Sequence, residues 1–214
     1  MSEIVENIYE IASRCDSVVL LKELTVIQWL TGDLSFLGSI EKINKTQDNE
    51  KYKKLEDAWG QEMLFKIRPD LHKSGQWTTV LGERISCEIQ IMLGNSEYHK
   101  PVKKNKYEPD GETNEFIWEV KTQTYYTSGT AGEKILGVPF KYADVPTMYG
   151  KPMKIVCIAG AEKICREEYG NINGEKTTEN RQKILDFWRQ EMQIEYVGAT
   201  SLLQKIIEKN TNSL

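Results

Sequence analysis

Residues 107–121 read YEPDGETNEFIWEVK: a Pro-Asp pair, a turn-prone GETN, then an apolar run that carries an acid and a base. Counting the strand from Glu115, period-2 alternation sets Phe116, Trp118 and Val120 on one side and Ile117, Glu119 and Lys121 on the other. Glu119 and Lys121 then stand about 7 Å apart along the strand. GETN allows the chain to fold back on itself, which brings Asp110 beside Glu119. Two carboxylates gathered in a partly buried place repel one another unless a cation sits between them. With oxygen ligands and neither His nor Cys in the stretch, Mg2+ or Mn2+ suits this pair better than zinc. Lys121 on the same face can hold a water or a phosphate oxygen, which completes a site able to hydrolyse a phosphodiester.

The rest of the chain is consistent with one ordinary domain. Its 214 residues are 39% hydrophobic and 28% charged, enough to bury a core and keep a polar surface, and the mean hydropathy is -0.52. It has no apolar run of the length that spans a membrane, and the opening MSEIVENIYE lacks the basic and apolar regions of a signal peptide, so a cytoplasmic protein with no membrane partner is expected. Cys15, Cys87, Cys157 and Cys165 show no CxxC spacing and read as reduced, mostly buried thiols. A formal net charge of -4 argues against a broadly basic surface. It says nothing of distribution, however, and residues 99–106, HKPVKKNK, hold four lysines and no acid. That run is a solvated loop or a nucleic-acid contact, and its place just ahead of Asp110 favours contact through Lys103, Lys104 and Lys106.

Residues 1–75 read as helical. Ile4, Ile8 and Ile11 keep a helical stripe, an apolar run covers 18–37, and the charged 46–67 resembles a long exposed helix stopping before Pro69. This region carries no recognisable chemistry and is expected to serve dimer contacts or DNA holding. In 77–94, Leu81, Ile85, Ile89 and Met92 fit a helix while Ile85, Cys87, Ile89 and Ile91 fit a strand; length and the closing Gly94 favour the helix, on which Glu83 is free to face a cleft. Beyond Lys121, Gln123 continues the Glu119 face, and Tyr125 and Tyr126 either stack on bases or fill the core. Ser128 and Thr130 are candidate N-caps where helix amides could meet a phosphate. Glu133 and Lys134 sit on an ordinary helix surface or pair with a phosphate. Residues 153–159, MKIVCIA, read as a buried parallel strand, followed by helix over 161–168. A second helix carries Ile184, Leu185, Trp188 and Met192, a short strand covers 194–197, and Ser201 with Gln204 forms a capping box opening a last helix over 201–214.

Pro109-Asp110 followed by Glu119-Val120-Lys121 resembles the signature of the PD-(D/E)xK nuclease superfamily, and within it the chain looks most like a type II restriction endonuclease. The resemblance covers 77–200. It implies an α/β restriction-endonuclease-like fold, a mixed β-sheet flanked by helices, within a single domain whose 1–75 form a helical N-terminal subregion. It further implies Mg2+-dependent, sequence-specific cleavage of double-stranded DNA, with Mn2+ able to substitute. Asp110 and Glu119 would hold the metal with help from the Val120 carbonyl, Lys121 would orient or deprotonate the attacking water, and Glu83 would join the site. Lys103, Lys104, Lys106, Gln123, Tyr125, Thr130 and Lys134 would contact DNA. A homodimer, a cognate DNA methyltransferase in the same system and a prokaryotic cytoplasm complete the implication. Three other readings compete: a repair or recombination nuclease of the same superfamily, resolvase-like in substrate; a non-enzymatic α/β binding protein; and a surface Glu119–Lys121 ion pair worth under about 1 kcal/mol.

Overall fold

The computed structural model describes residues 2–39, 45–71, 76–126, 131–172 and 174–212. Its centre is a four-stranded mixed sheet in the order β1 (Gly111–Glu112), β2 (Ile117–Gln123), β3 (Met153–Ala159), β4 (Ile194–Gly198). β1 is antiparallel to β2, and β2, β3 and β4 run parallel. The β1–β2 hairpin closes on Thr113, whose N–H donates to the Phe116 carbonyl (2.9 Å) while its hydroxyl accepts the Phe116 N–H (3.1 Å). MKIVCIA lies at the middle of the parallel set and is covered on both faces, as a near-continuous apolar strand requires.

Alternation along the strands divides the core. Trp118, Val120, Val156 and Ile158 face one cluster and Ile117, Ile155 and Cys157 the other. The first cluster is roofed by α1 (Glu3–Ser13), α2 (Leu24–Thr31), α3 (Lys45–Ile67) and α4 (Trp77–Met92). The second is roofed by the β2–β3 crossover, with α5 (Ala131–Leu136), α6 (Val138–Lys141) and α7 (Val145–Tyr149), and by α8 (Gly160–Ile164). A π-helical turn (Cys165–Tyr169), α9 (Glu179–Gln190) and, after β4, α10 (Ala199–Thr211) complete the chain. No helix among the described residues is long and apolar enough to cross a membrane. All four cysteines are free thiols.

Several expectations are corrected. The N-terminal helices are part of the core: Val5, Ile8, Val26, Trp29, Leu30 and Leu64 are buried in the same cluster as Trp118 and Val156. α3 reads as exposed because one face is charged, but Trp29, Trp59 and Trp77 meet behind it with ring centroids 5.3–6.2 Å apart. Ser201 does not cap the last helix, which begins two residues earlier at Ala199. A distant carboxylate takes the role of the cap: Glu162 accepts the Thr200 N–H (3.0 Å), and the Ser201 hydroxyl is occupied by Arg166 (2.9 Å). Helix 161–168 is in fact α8 passing into the π turn, and Met192 lies past the end of α9.

α4 settles the ambiguity of 77–94 in favour of a helix and lies hard against β2. A Cβ at Gly82 would fall 1.8 Å from the Thr122 hydroxyl, so only glycine permits this approach. Glu83 is thereby carried to the edge of β2.

Candidate active site

Pro109 has no N–H, so it cannot extend the ladder between β1 and β2. Gly111 pairs with Trp118, and the Asp110 N–H also donates to the Trp118 carbonyl (3.0 Å), so two consecutive residues face one. This is a β-bulge, which re-aims a side chain. Asp110 uses the new direction to reach the next turn of the pleat, where its Oδ2 accepts the Val120 N–H at 2.7 Å. Gly111 is required here, because a Cβ would lie 2.0 Å from the Tyr98 hydroxyl.

Glu119 is 3% exposed. Its Oε1 accepts from Lys121 Nζ at 2.5 Å, so the two side chains lean together across the spacing along the strand. Oε2 is buried with no hydrogen-bond partner. Burial pushes the Asp110 carboxyl up to about 6, the Glu119 charge adds to the rise, and the Val120 N–H, Lys121 and Lys100 oppose it. Glu83, half-buried on α4, is also pushed up, first by burial and then by the Asp110 charge, with Lys100 and Lys121 opposing. Tyr142 closes the other side: its hydroxyl is pushed up by burial and by Glu119. Three carboxylates thus share one field with two lysines.

The residues fit a hard divalent cation. Buried carboxylate oxygens held together against their repulsion, one of them lacking any partner, are what such an ion would relieve. Val120 directs its N–H to Asp110, and in an extended strand its carbonyl points to the same edge. Among the described residues no three His, Cys, Asp or Glu side chains converge tightly enough to hold an ion by themselves. Mg2+ accepts one or two carboxylates and keeps waters in its other positions, which matches Asp110 and Glu119 with Glu83 standing further off. His99 bridges to Glu112 beside the hairpin, but its ring faces the Glu112 carboxylate at 3.7 Å, away from the pair.

The remaining candidates divide. Lys103 and Lys106 are exposed on the loop leading to Asp110. Lys104 is spent on the fold, donating to the Met148 carbonyl (2.9 Å) over the Tyr149 ring. Gln123 is 8% exposed, and Gly160 packs against its backbone carbonyl. Tyr125 is a packing residue whose hydroxyl donates to the Trp29 carbonyl (2.8 Å), and Tyr126 stacks on Tyr52 at 5.1 Å. Lys134 is exposed on α5, while Ser128 and Thr130 lie outside the described residues. Sequence reasoning passed over two contributors. Lys100 belongs to the lysine run and faces Glu83 and Asp110 while paired with Glu108 at 3.0 Å. Tyr142 arrives from the β2–β3 crossover, and nothing local to it marks the role.

Compared with protein-family models, with curated proteins and with solved structures, the chain has no match in any of the three.

Proposed function

We propose that this protein is a Mg2+-dependent endonuclease that cuts double-stranded DNA at a specific sequence, in the manner of a type II restriction enzyme with a restriction-endonuclease-like core. The observation that carries the reading is the unpartnered Oε2 of buried Glu119 beside an Asp110 whose carboxyl is pushed up to about 6, with Lys121 on the same strand. A bound divalent ion would lower the pKa of a coordinated water and neutralise charge on the scissile phosphate. Asp110, Glu119 and the Val120 carbonyl would hold it. Lys121 orients the attacking water and offsets the charge that grows on the phosphate, acting as an electrostatic clamp. Glu83 and Lys100 set the field around that water, and Tyr142 shields Glu119 from bulk solvent. Lys103 and Lys106 meet the DNA backbone, and a methyltransferase of the same specificity would protect host DNA.

The test is plasmid cleavage with Mg2+, with Mn2+ and with chelator. Cleavage is expected with either metal and not with chelator, and Asp110→Asn and Glu119→Gln should abolish it in a folded protein. If either variant cuts at the wild-type rate, the site assignment is wrong.

A further inference from the structure

Phe140, on α6, is 83% exposed, among the most solvent-exposed of the large apolar side chains described. The cause is not looseness, since Val138, Pro139, Tyr142 and Val145 on either side are buried and hold the turn in place. The ring stands at the wall of a concavity of about 740 Å³ that Lys106, Glu108, Lys141 and Asp144 also line. Its two acids are already engaged: Glu108 pairs with Lys100 (3.0 Å) and Asp144 accepts from the Tyr107 hydroxyl (3.0 Å). Its two ammonium groups are set over aromatic rings, Lys106 over Tyr107 (5.2 Å) and Lys141 over Tyr142 (4.7 Å). Tyr142 lines this concavity and also borders Glu119, so the concavity reaches the carboxylate pair through Tyr142. A projecting aromatic at the wall of a concavity that also carries two lysines, with its two acids already engaged, complements a partner that is anionic along its backbone and presents flat apolar faces, which describes nucleic acid.

We infer that Phe140 is a stacking wedge, its ring entering the base stack of duplex DNA beside the scissile phosphate while Lys106 and Lys141 hold the flanking phosphates. The inference rests on the nuclease reading for the identity of its ligand. It is tested with duplex DNA and Ca2+, following affinity by anisotropy and unstacking by 2-aminopurine placed through the duplex, for wild type, Phe140→Ala and Phe140→Trp. Wild type is expected to brighten the probe at one step. Phe140→Ala should lose that signal and bind about 5- to 100-fold more weakly at an unchanged melting temperature, and Phe140→Trp should restore both. A Phe140→Ala variant with full affinity and full brightening overturns the inference, as does one whose only change is loss of a dimer in light scattering, which would make Phe140 a subunit contact. Wild type that binds and unstacks the duplex yet cuts nothing with Mg2+ sinks the nuclease reading and leaves the wedge standing, whereas wild type that does not bind duplex DNA sinks both.

Discussion

Asp110 holds its charge at a cost. Its carboxyl is raised from an ordinary value near 3.8 to about 6, so the folded state keeps its proton more readily than the unfolded chain. The stabilisation this confers is complete below about pH 4 and is lost as the pH rises through about 6, leaving the metal-free protein about 3 kcal/mol worse off at neutral pH. Asn in its place keeps an acceptor for the Val120 N–H and removes the charge. Asp110→Asn should therefore raise the melting temperature by about 5–10 °C at pH 7.5 without metal and hardly at all at pH 4; an equal shift at both pH values would detach the effect from ionisation. Mg2+ should stabilise the wild type at pH 7.5 and not this variant. Lys121→Ala works in the opposite direction: it strips buried Glu119 of its ammonium partner and should cost about 2–4 kcal/mol in chelator. Cleavage should fall by several orders of magnitude while Mn2+ binding survives in a calorimetric titration, and a lost metal signal would give Lys121 a structural role instead. Asp110, Glu119 and Lys121 were legible because one hairpin brings them together within a short span of sequence. Lys100 was half-visible as a charge, and Tyr142 was hidden because only the long β2–β3 crossover brings it to Glu119.

Elements were legible where periodicity acts alone and illegible where one element finishes another. β3 and the helical character of α4 follow from their own residues, with Gly82 and Gly94 fitting contact and stop. The end of β2 does not. There the chain turns at Tyr125, whose N–H donates to Glu56 of α3 at 3.0–3.1 Å, and the same carboxylate accepts from Trp29 Nε1 at 2.7 Å. A glutamate in a charged helix gives no local sign of such a task, just as nothing near Thr200 points to Glu162 as its cap. Removing the acceptor leaves two buried donors unmatched, so Glu56→Ala should destabilise the protein by about 2–4 kcal/mol in urea titration. Hydrogen exchange at the Tyr125 amide should accelerate beyond the global effect. Unchanged exchange there would mean that α3 does not hold the exit of β2.

For the molecule as a whole, the N-terminal helices change meaning once they are seen to share a core with the sheet: their inner face belongs to the fold, and only their outer face is left for a partner. On that outer face Tyr9, Leu55 and Phe65 stay exposed, on α1 and α3. Each chain carries one Asp110–Glu119 pair, and under the proposed nuclease reading one such site would break one strand. Cutting both strands of a palindrome in a single encounter therefore calls for two copies related by a two-fold axis, each reading a half-site. A net charge of -4 also makes approach to DNA depend on neutralising the carboxylates, so binding should strengthen with Ca2+ and weaken with salt. We predict a homodimer on DNA that converts supercoiled plasmid directly to linear product with ends at one short palindrome. Light scattering of the free and DNA-bound protein, with mapping of the digested ends, decides the matter. A strict monomer on DNA that accumulates nicked circles, or cuts at random or at branches, would reject the restriction reading and favour a repair or recombination nuclease.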